Sequence, residues 1–96
     1  MTTWPFSDPK NLACITVKEI VLEGQSILRV THDLDDGGWQ FLTDEIINVE
    51  NAMVLGLEEI YEIDESIAEI SNLPLGWKAI RKSIGQPWVL SESEKE

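Results

Sequence analysis

The chain has 96 residues, of which 43% are hydrophobic, and a formal net charge of −11. This length predicts one small domain, and the hydrophobic content excludes an intrinsically disordered chain. The negative charge argues against binding to nucleic acid or to an anionic membrane, and a single cysteine excludes an internal disulfide framework.

The first twelve residues predict an irregular N-terminal arm. Pro5 and Pro9 interrupt regular structure within residues 1–12. Trp4 and Phe6 offer apolar side chains that can pin this arm to the core.

A strand followed by a short helix is expected after the arm. Residues 13–17 form a short β-branched run, which is typical of a buried strand. Residues 18–24 favour one or two helical turns, with Thr16 as the N-cap and Glu19 three residues later. Gly24 suits the left-handed position that ends a helix.

A β-hairpin is expected next. Residues 26–32 have strand composition, and residues 33–38 are rich in Asp and Gly, which tolerate the backbone conformations of a turn. Residues 39–42 form the return strand, with Trp39 and Phe41 on the same side.

The next part of the chain predicts a polar connection over residues 44–51 and a strand over residues 52–55. Residues 57–73 have helical periodicity, but Asp64 resembles an N-cap in their middle. We therefore expect two short helical segments rather than one long helix.

Two more strands are expected at residues 77–81 and 88–90, followed by a frayed acidic tail over residues 91–96. The whole pattern predicts a single α+β domain over residues 13–90. It should contain a mostly antiparallel sheet of about five short strands, with short helices packed on one face.

An acidic tract runs through the middle of this domain. No Lys or Arg occurs between Val30 and Trp77, whereas twelve carboxylates do. A folded surface of one charge sign repels itself, which favours either a cationic partner or a role in solubility. The twelve are Asp33, Asp35, Asp36, Asp44, Glu45, Glu50, Glu58, Glu59, Glu62, Asp64, Glu65 and Glu69.

We expect partner binding by the carboxylates of the hairpin turn and of the helical segment. Glu58 and Glu62 are four residues apart and share a helix face. An aromatic anchor at the rim would complete the surface. The predicted contact residues are Asp33, Asp35, Asp36, Trp39, Glu58, Glu59, Glu62 and Glu65.

The acidic turn superficially resembles a calcium loop. Asp33, Asp35 and Gly38 occupy matching positions. However, Gly37 offers no side-chain ligand at the fifth position of the loop, and Asp44 replaces the Glu expected at the twelfth. A plain hairpin turn is the better interpretation, and we expect no metal site and no cofactor.

Catalytic residues are not expected either. Cys14 is the only thiol and His32 the only imidazole. A thiolate nucleophile would need both, but Cys14 lies in an apolar run where it should be buried and protonated. No phosphate-binding loop or nucleophile elbow occurs in the sequence.

The basic residues Lys78, Arg81 and Lys82 cluster near the C-terminus. They could neutralise part of the acidic tract from across the sheet. The N-terminus has neither a basic start nor an apolar segment typical of a signal peptide, so a cytoplasmic location is expected.

Five segments carry a resemblance. They are Val17-Lys-Glu-Ile-Val-Leu-Glu-Gly24, Asp36-Gly-Gly-Trp-Gln-Phe41, Val54-Leu-Gly-Leu57, Ile60-Tyr-Glu-Ile-Asp-Glu-Ser-Ile67 and Leu73-Pro-Leu-Gly-Trp77. Their order is similar to that in a family of small acidic bacterial domains grouped with the immunity proteins of polymorphic-toxin systems, the immunity-protein-thirty-three-like group. The similarity covers residues 13–88, and its most specific element is the acidic turn followed by Gly-Trp-x-Phe.

The resemblance implies an α+β fold and neutralisation of a toxin by direct binding. Our leading hypothesis is a non-enzymatic binding protein of immunity type, which covers a basic protein partner with its acidic face. The alternative is a small structural or regulatory domain whose acidity serves only solubility, with a homodimer joined through a sheet edge or a Trp surface. A weaker third option is divalent-cation binding by residues 33–38.

Overall fold

The computed structural model describes residues 3–45 and 48–93. These residues contain six strands, two α-helices and two 3₁₀ helices, joined by loops. The strands are β1 (Ala13–Val17), β2 (Arg29–His32), β3 (Trp39–Leu42), β4 (Ala52–Gly56), β5 (Trp77–Ile80) and β6 (Val89–Glu92). The helices are α1 (Lys18–Val21), the 3₁₀ helix Val49–Asn51, α2 (Leu57–Ile63) and the 3₁₀ helix Glu65–Ile70. The prediction of an α+β fold is confirmed.

All six strands join one sheet in the order β4-β1-β3-β2-β5-β6. The β1–β3 pair is parallel, with Ile15 opposite Gln40, and the other neighbouring pairs are antiparallel. The expected sheet of about five strands thus has six, and one of its pairs is parallel. The six strands correspond to the six strand segments expected along the chain, and the parallel pair arises because β1 lies beside β3, which runs in the same direction.

The core lies on one face of the sheet. Residues that are opposite each other in neighbouring strands share a face, so Cys14 and Thr16 of β1 lie on the same side as Trp39 and Phe41 of β3. All four side chains are buried, and those of Cys14, Trp39 and Phe41 form one hydrophobic cluster with residues from α2 and the second 3₁₀ helix, namely Leu57, Ile60, Ile67 and Ile70. The opposite face leaves apolar side chains exposed, including Ile15, Val54, Ile80 and Val89.

Aromatic contacts hold the N-terminal arm against this core, as expected. Phe6 is buried and packs edge-on against Trp39, with ring centroids 5.4 Å apart. Trp4 packs against Phe6 at 5.6 Å and edge-on against Tyr61 at 5.7 Å. Asp8 joins both Trp side chains, because its carbonyl accepts from Trp4 Nε1 at 2.8 Å and its carboxylate from Trp39 Nε1 at 2.7 Å.

The predicted N-cap of the first helix is wrong. Val17 is the N-cap of α1, and no side chain caps this helix. Thr16 instead lies in β1, faces the core, and donates its hydroxyl to the carbonyl of Phe41 at 2.8 Å. A buried hydroxyl needs a partner, and the neighbouring strand supplies one. Gly24 does adopt the expected left-handed conformation, with φ 75°.

The predicted break in the second helical region is confirmed. Asp64 separates α2 from the 3₁₀ helix Glu65–Ile70, and its side chain accepts from the backbone N–H of Ser66 at 2.9 Å. The carboxylate thereby satisfies one of the free N–H groups at the start of the 3₁₀ helix.

Several strand boundaries differ by one to three residues from the predicted ones. Strand β2 begins at Arg29 rather than at residue 26, and β6 continues to Glu92, so the expected start of the tail at residue 91 is wrong. The parts of the arm, connection and tail at residues 1–2, 46–47 and 94–96 lie outside the described residues. Within residues 3–45 and 48–93, no helix combines the length and apolarity needed to span a membrane.

Candidate functional site

Trp39 does not lie at the rim of a binding surface. This corrects the prediction that Trp39 is an aromatic anchor for a partner. Its side chain is 1% exposed and stacks on Phe41 at 5.9 Å and on His32 at 4.0 Å. Because β3 is central in the sheet and Trp39 points to the helical side, the ring fills the core rather than contacting solvent.

The acidic turn between β2 and β3 uses two of its three predicted carboxylates internally. Asp33 accepts from Gln40 Nε2 at 2.9 Å and from Thr31 Oγ1 at 3.3 Å. Asp36 accepts from the backbone N–H of Gly38 at 2.8 Å. Asp35 is exposed and makes no hydrogen bond within the described residues. Of the three, Asp35 is therefore the one most available to a partner.

Three of the predicted helical carboxylates line a shared groove. Glu58 and Glu62 of α2, with Glu65 from the 3₁₀ helix that follows, line an open groove of about 240 Å³ between α2 and the N-terminal arm. Trp4 and Tyr61 supply its aromatic walls. The remaining lining residues are Thr3 and Lys10.

The ammonium group of Lys10 already lies against this groove. Its Nζ is 5.8 Å from the centroid of the Trp4 ring and 3.7 Å from Oε2 of Glu58. The backbone of Lys10 is held beside α2, since the Lys10 carbonyl accepts from the Glu58 N–H at 2.9 Å. At least half of each side chain is exposed to solvent. The ion pair therefore contributes at most about 1 kcal/mol to the stability of the fold. The arrangement nevertheless indicates the kind of group that the groove accommodates.

Glu59, the remaining predicted helical contact, does not line the groove. Its Oε1 accepts from the backbone N–H of Gly56 at 2.9 Å, which closes the start of α2. This contact gives Glu59 a structural role at the helix terminus.

Both predicted acidic groups lie at the same end of the sheet. Trp39 begins β3 beside the acidic turn, and Ala13 at the matching end of parallel β1 pairs with Gly56, just before α2. The N-terminal arm connects to this end through Asp8. Among the described residues, no hydrogen bond or ion pair joins the turn carboxylates to those of α2.

Only one of the three C-terminal cations neutralises a carboxylate of the acidic tract. Arg81 is buried and its guanidinium donates to Asp64 Oδ2 at 2.7 Å, to Ser66 Oγ at 2.8 Å and to the Ile27 carbonyl at 3.1 Å. The Trp88 ring covers it at 4.2 Å. Lys78 and Lys82 form no ion pair within residues 3–45 and 48–93.

The thiol and the imidazole have separate partners. Cys14 Sγ donates to the Leu12 carbonyl at 3.4 Å, and burial, assisted by the negative charge of Asp8, raises the pKa of the thiol to about 12. It is therefore protonated at neutral pH. His32 Nδ1 lies 2.7 Å from the Leu73 carbonyl, which identifies it as a donor.

A metal-binding arrangement is not found in the part of the chain that the structure describes. No group of three or more His, Cys, Asp or Glu side chains there is placed to hold an ion. In the turn, the side chains of Asp33 and Asp36 are oriented toward protein donors instead.

Sequence reasoning did not identify Trp4, Lys10 and Tyr61 as members of a site. The sequence predicts for Trp4 only a role in pinning the arm, and Tyr61 has the spacing of an apolar helix stripe. Their proximity depends on how the arm docks, which local patterns do not encode. Comparison with family models, with curated proteins and with solved structures finds no match to this chain, so the resemblance to the immunity group stays a prediction.

Proposed function

We propose that this chain is a non-enzymatic binding protein that engages a cationic protein through the groove between α2 and the N-terminal arm. One observation carries the proposal. The groove places three carboxylates beside two aromatic rings, and an ammonium group of the protein itself already lies there.

The size of the groove suits a single side chain. A volume of about 240 Å³ is below the roughly 300–1,000 Å³ of sites for small organic ligands. A Lys or Arg side chain fits such a space. Its charged group would lie near the carboxylates, and its methylene groups or its charged group would pack on an aromatic ring. The surrounding negative charge would raise the association rate and favour cationic partners over others.

The immunity-type function follows from this binding mode together with the sequence resemblance. In this proposal the partner is a basic protein, such as a toxin, which the chain meets in the cytoplasm and covers at its functional surface. Asp35 of the turn would extend the contact along the same end of the sheet.

The alternative function is a structural or regulatory domain whose acidity serves only solubility. Its support is the number of carboxylates that have internal roles. Asp33, Asp36, Glu59 and Asp64 each accept hydrogen bonds that stabilise a turn or a helix end. Under this alternative, the remaining exposed carboxylates keep the molecules apart in solution, with or without a homodimer.

Charge reversal at three positions separates the two functions. Asp35, Glu62 and Glu65 have no bonding partner within the described residues, so replacing all three by Lys should leave the fold intact. We expect the variant to associate at least tenfold more slowly with its partner and to lose most of the salt dependence of binding. The measurement is a pull-down from the native cell at low and at high salt, followed by association kinetics with the captured protein.

A matched variant controls for net charge. Replacing Glu23, Glu45 and Glu69 by Lys changes the charge equally at exposed positions outside the groove. If both variants slow association to the same extent, only the overall charge acts. If neither affects an identified partner, the acidic-surface proposal is wrong.

A further inference from the structure

The two edge strands of the sheet differ in how well they are protected. An exposed edge has unpaired backbone N–H and C=O groups, and proteins commonly shield them with charged residues or Pro. Edge strand β6 contains Glu92 and follows Pro87 closely. Edge strand β4 has the sequence Ala-Met-Val-Leu-Gly, with no charge and no Pro, in a chain where 26% of residues are charged.

The hydrogen bonds at the ends of β4 show which of its residues face outward. The Ala52 N–H donates to the Val49 carbonyl, and the Gly56 N–H donates to Glu59 at 2.9 Å. Alternate residues of an antiparallel strand direct their backbone groups to the same side. The N–H and C=O of Val54 therefore point away from β1, and the described residues offer them no partner.

The Val54 side chain is equally available. It is 69% exposed and lies beside Ile15, which is 41% exposed, on the face of the sheet opposite the core. A strand added next to β4 would thus gain backbone hydrogen bonds at Val54 and an apolar contact at the same point.

Carboxylates flank this open position at both ends. Glu50 is exposed two residues before β4, and Glu58 and Glu59 are exposed just after it. A second copy pairing antiparallel about Val54 would bring its Glu50 toward Glu58 of the first. Like charges in such positions oppose pairing, and each copy also carries a net charge of −11.

We propose that β4 binds an extended segment of a cationic protein as an additional strand. The segment has a β-branched centre opposite Val54 and Lys or Arg on both sides, facing Glu50 at one end and Glu58 and Glu59 at the other. This inference rests on the proposed function, since it specifies how the cationic partner is held.

The test uses a synthetic probe and a variant that removes one N–H group. The probe is acetyl-Lys-Lys-Val-Thr-Val-Lys-Lys-amide, titrated calorimetrically into the full chain at low salt. Val54→Pro removes the outward N–H at a position where an edge strand tolerates Pro, and Val54→Thr is the matched control that keeps it. We expect Val54→Pro to weaken binding about tenfold or more, because backbone hydrogen bonds are lost, and Val54→Thr to have little effect.

A second probe keeps the test valid if Val54→Pro does not fold, which circular dichroism would reveal. The same peptide with N-methyl groups on its three central residues retains its charge but cannot pair as a strand, and we expect it to bind about tenfold more weakly. Equal binding of both peptides, or equal binding to wild type and Val54→Pro, overturns strand addition and leaves the proposed function standing.

Two other outcomes also decide the matter. If the unmodified peptide does not bind the wild-type chain at all, strand addition fails, whereas the proposed function is decided separately by the charge reversal at Asp35, Glu62 and Glu65. If sedimentation shows a dimer that Val54→Pro dissociates, the edge pairs with a second copy, and the cationic segment is the wrong occupant.

Discussion

Arg81 is a buried charged residue whose guanidinium makes three hydrogen bonds. Its guanidinium contacts Asp64 and Ser66 at the junction of the two helical segments and the Ile27 carbonyl before β2. Burying a charge is costly, and it is tolerated here because the planar group meets oxygen acceptors and an aromatic face together.

Loss of this side chain should strongly destabilise the fold. We expect Arg81→Ala to lower the free energy of unfolding by about 3–5 kcal/mol, because Asp64 is left as a poorly compensated charge. The check is urea denaturation followed by Trp fluorescence.

Lys82→Ala, one residue further along and exposed, is the control and should change stability by less than about 0.5 kcal/mol. Replacing Arg81 by Met and Asp64 by Asn together should cost less than Arg81→Ala alone, since no charge remains buried. An Arg81→Ala variant as stable as Lys82→Ala would contradict this account.

Among the elements, the β2–β3 hairpin has its turn determined mainly by local chemistry. Gly37 has φ 73°, and its N–H donates to the Asp33 carbonyl at 3.0 Å. The Gly38 N–H donates to the Asp36 carboxylate. These are interactions within six consecutive residues, which is why the sequence predicts the turn correctly.

Substitution of Gly37 should therefore act through the backbone. An added Cβ would lie 4.0 Å from Leu75, an ordinary contact, so space is not limiting. We expect Gly37→Ala to cost about 1–2 kcal/mol of stability from its positive φ, and Gly37→Asn to cost less, because Asn tolerates that conformation. Thermal unfolding of the two variants checks this, and an Ala variant no less stable than the Asn variant would argue against it.

Other elements show where prediction from sequence fails. The Asp64 break and the strand β3 follow from local patterns, but the parallel pairing of β1 with β3 depends on residues far apart. Trp39 illustrates the same limit at the site. Its strand position was predictable, whereas its burial under Phe6 and Asp8 depends on the docked arm. For the same reason, the sequence indicates three carboxylates of the groove but not the groove itself.

At the scale of the whole molecule, we expect repulsion among carboxylates to outweigh the attraction within the ion pairs, because the net charge is strongly negative. The radius of gyration is 12.4 Å, and the net charge is −11. At about 0.01 M salt the Debye length of roughly 30 Å exceeds the molecular radius, whereas at about 0.1 M it is roughly 10 Å. Carboxylates across the molecule therefore repel one another at low salt and much less at moderate salt.

Added salt should consequently stabilise the chain. We expect the midpoint of thermal unfolding to rise by a few degrees between about 0.01 M and about 0.1 M sodium chloride. The variant with Asp35, Glu62 and Glu65 replaced by Lys has a net charge of −5, since each reversal adds two to the −11, and should show a smaller rise. A midpoint that falls with salt would mean that the ion pairs of Lys10 and Arg81 outweigh the repulsion.

The position of β1 in the sheet has a consequence for the order of folding. The β2–β3 and β5–β6 hairpins close over short loops, but β1 needs Gln40 on one side and Val54 on the other. Closing long loops costs more entropy and slows folding, so the hairpins should form before β1 inserts between β3 and β4. During synthesis, the first strand to leave the ribosome therefore cannot complete its pairing until β4 has followed it.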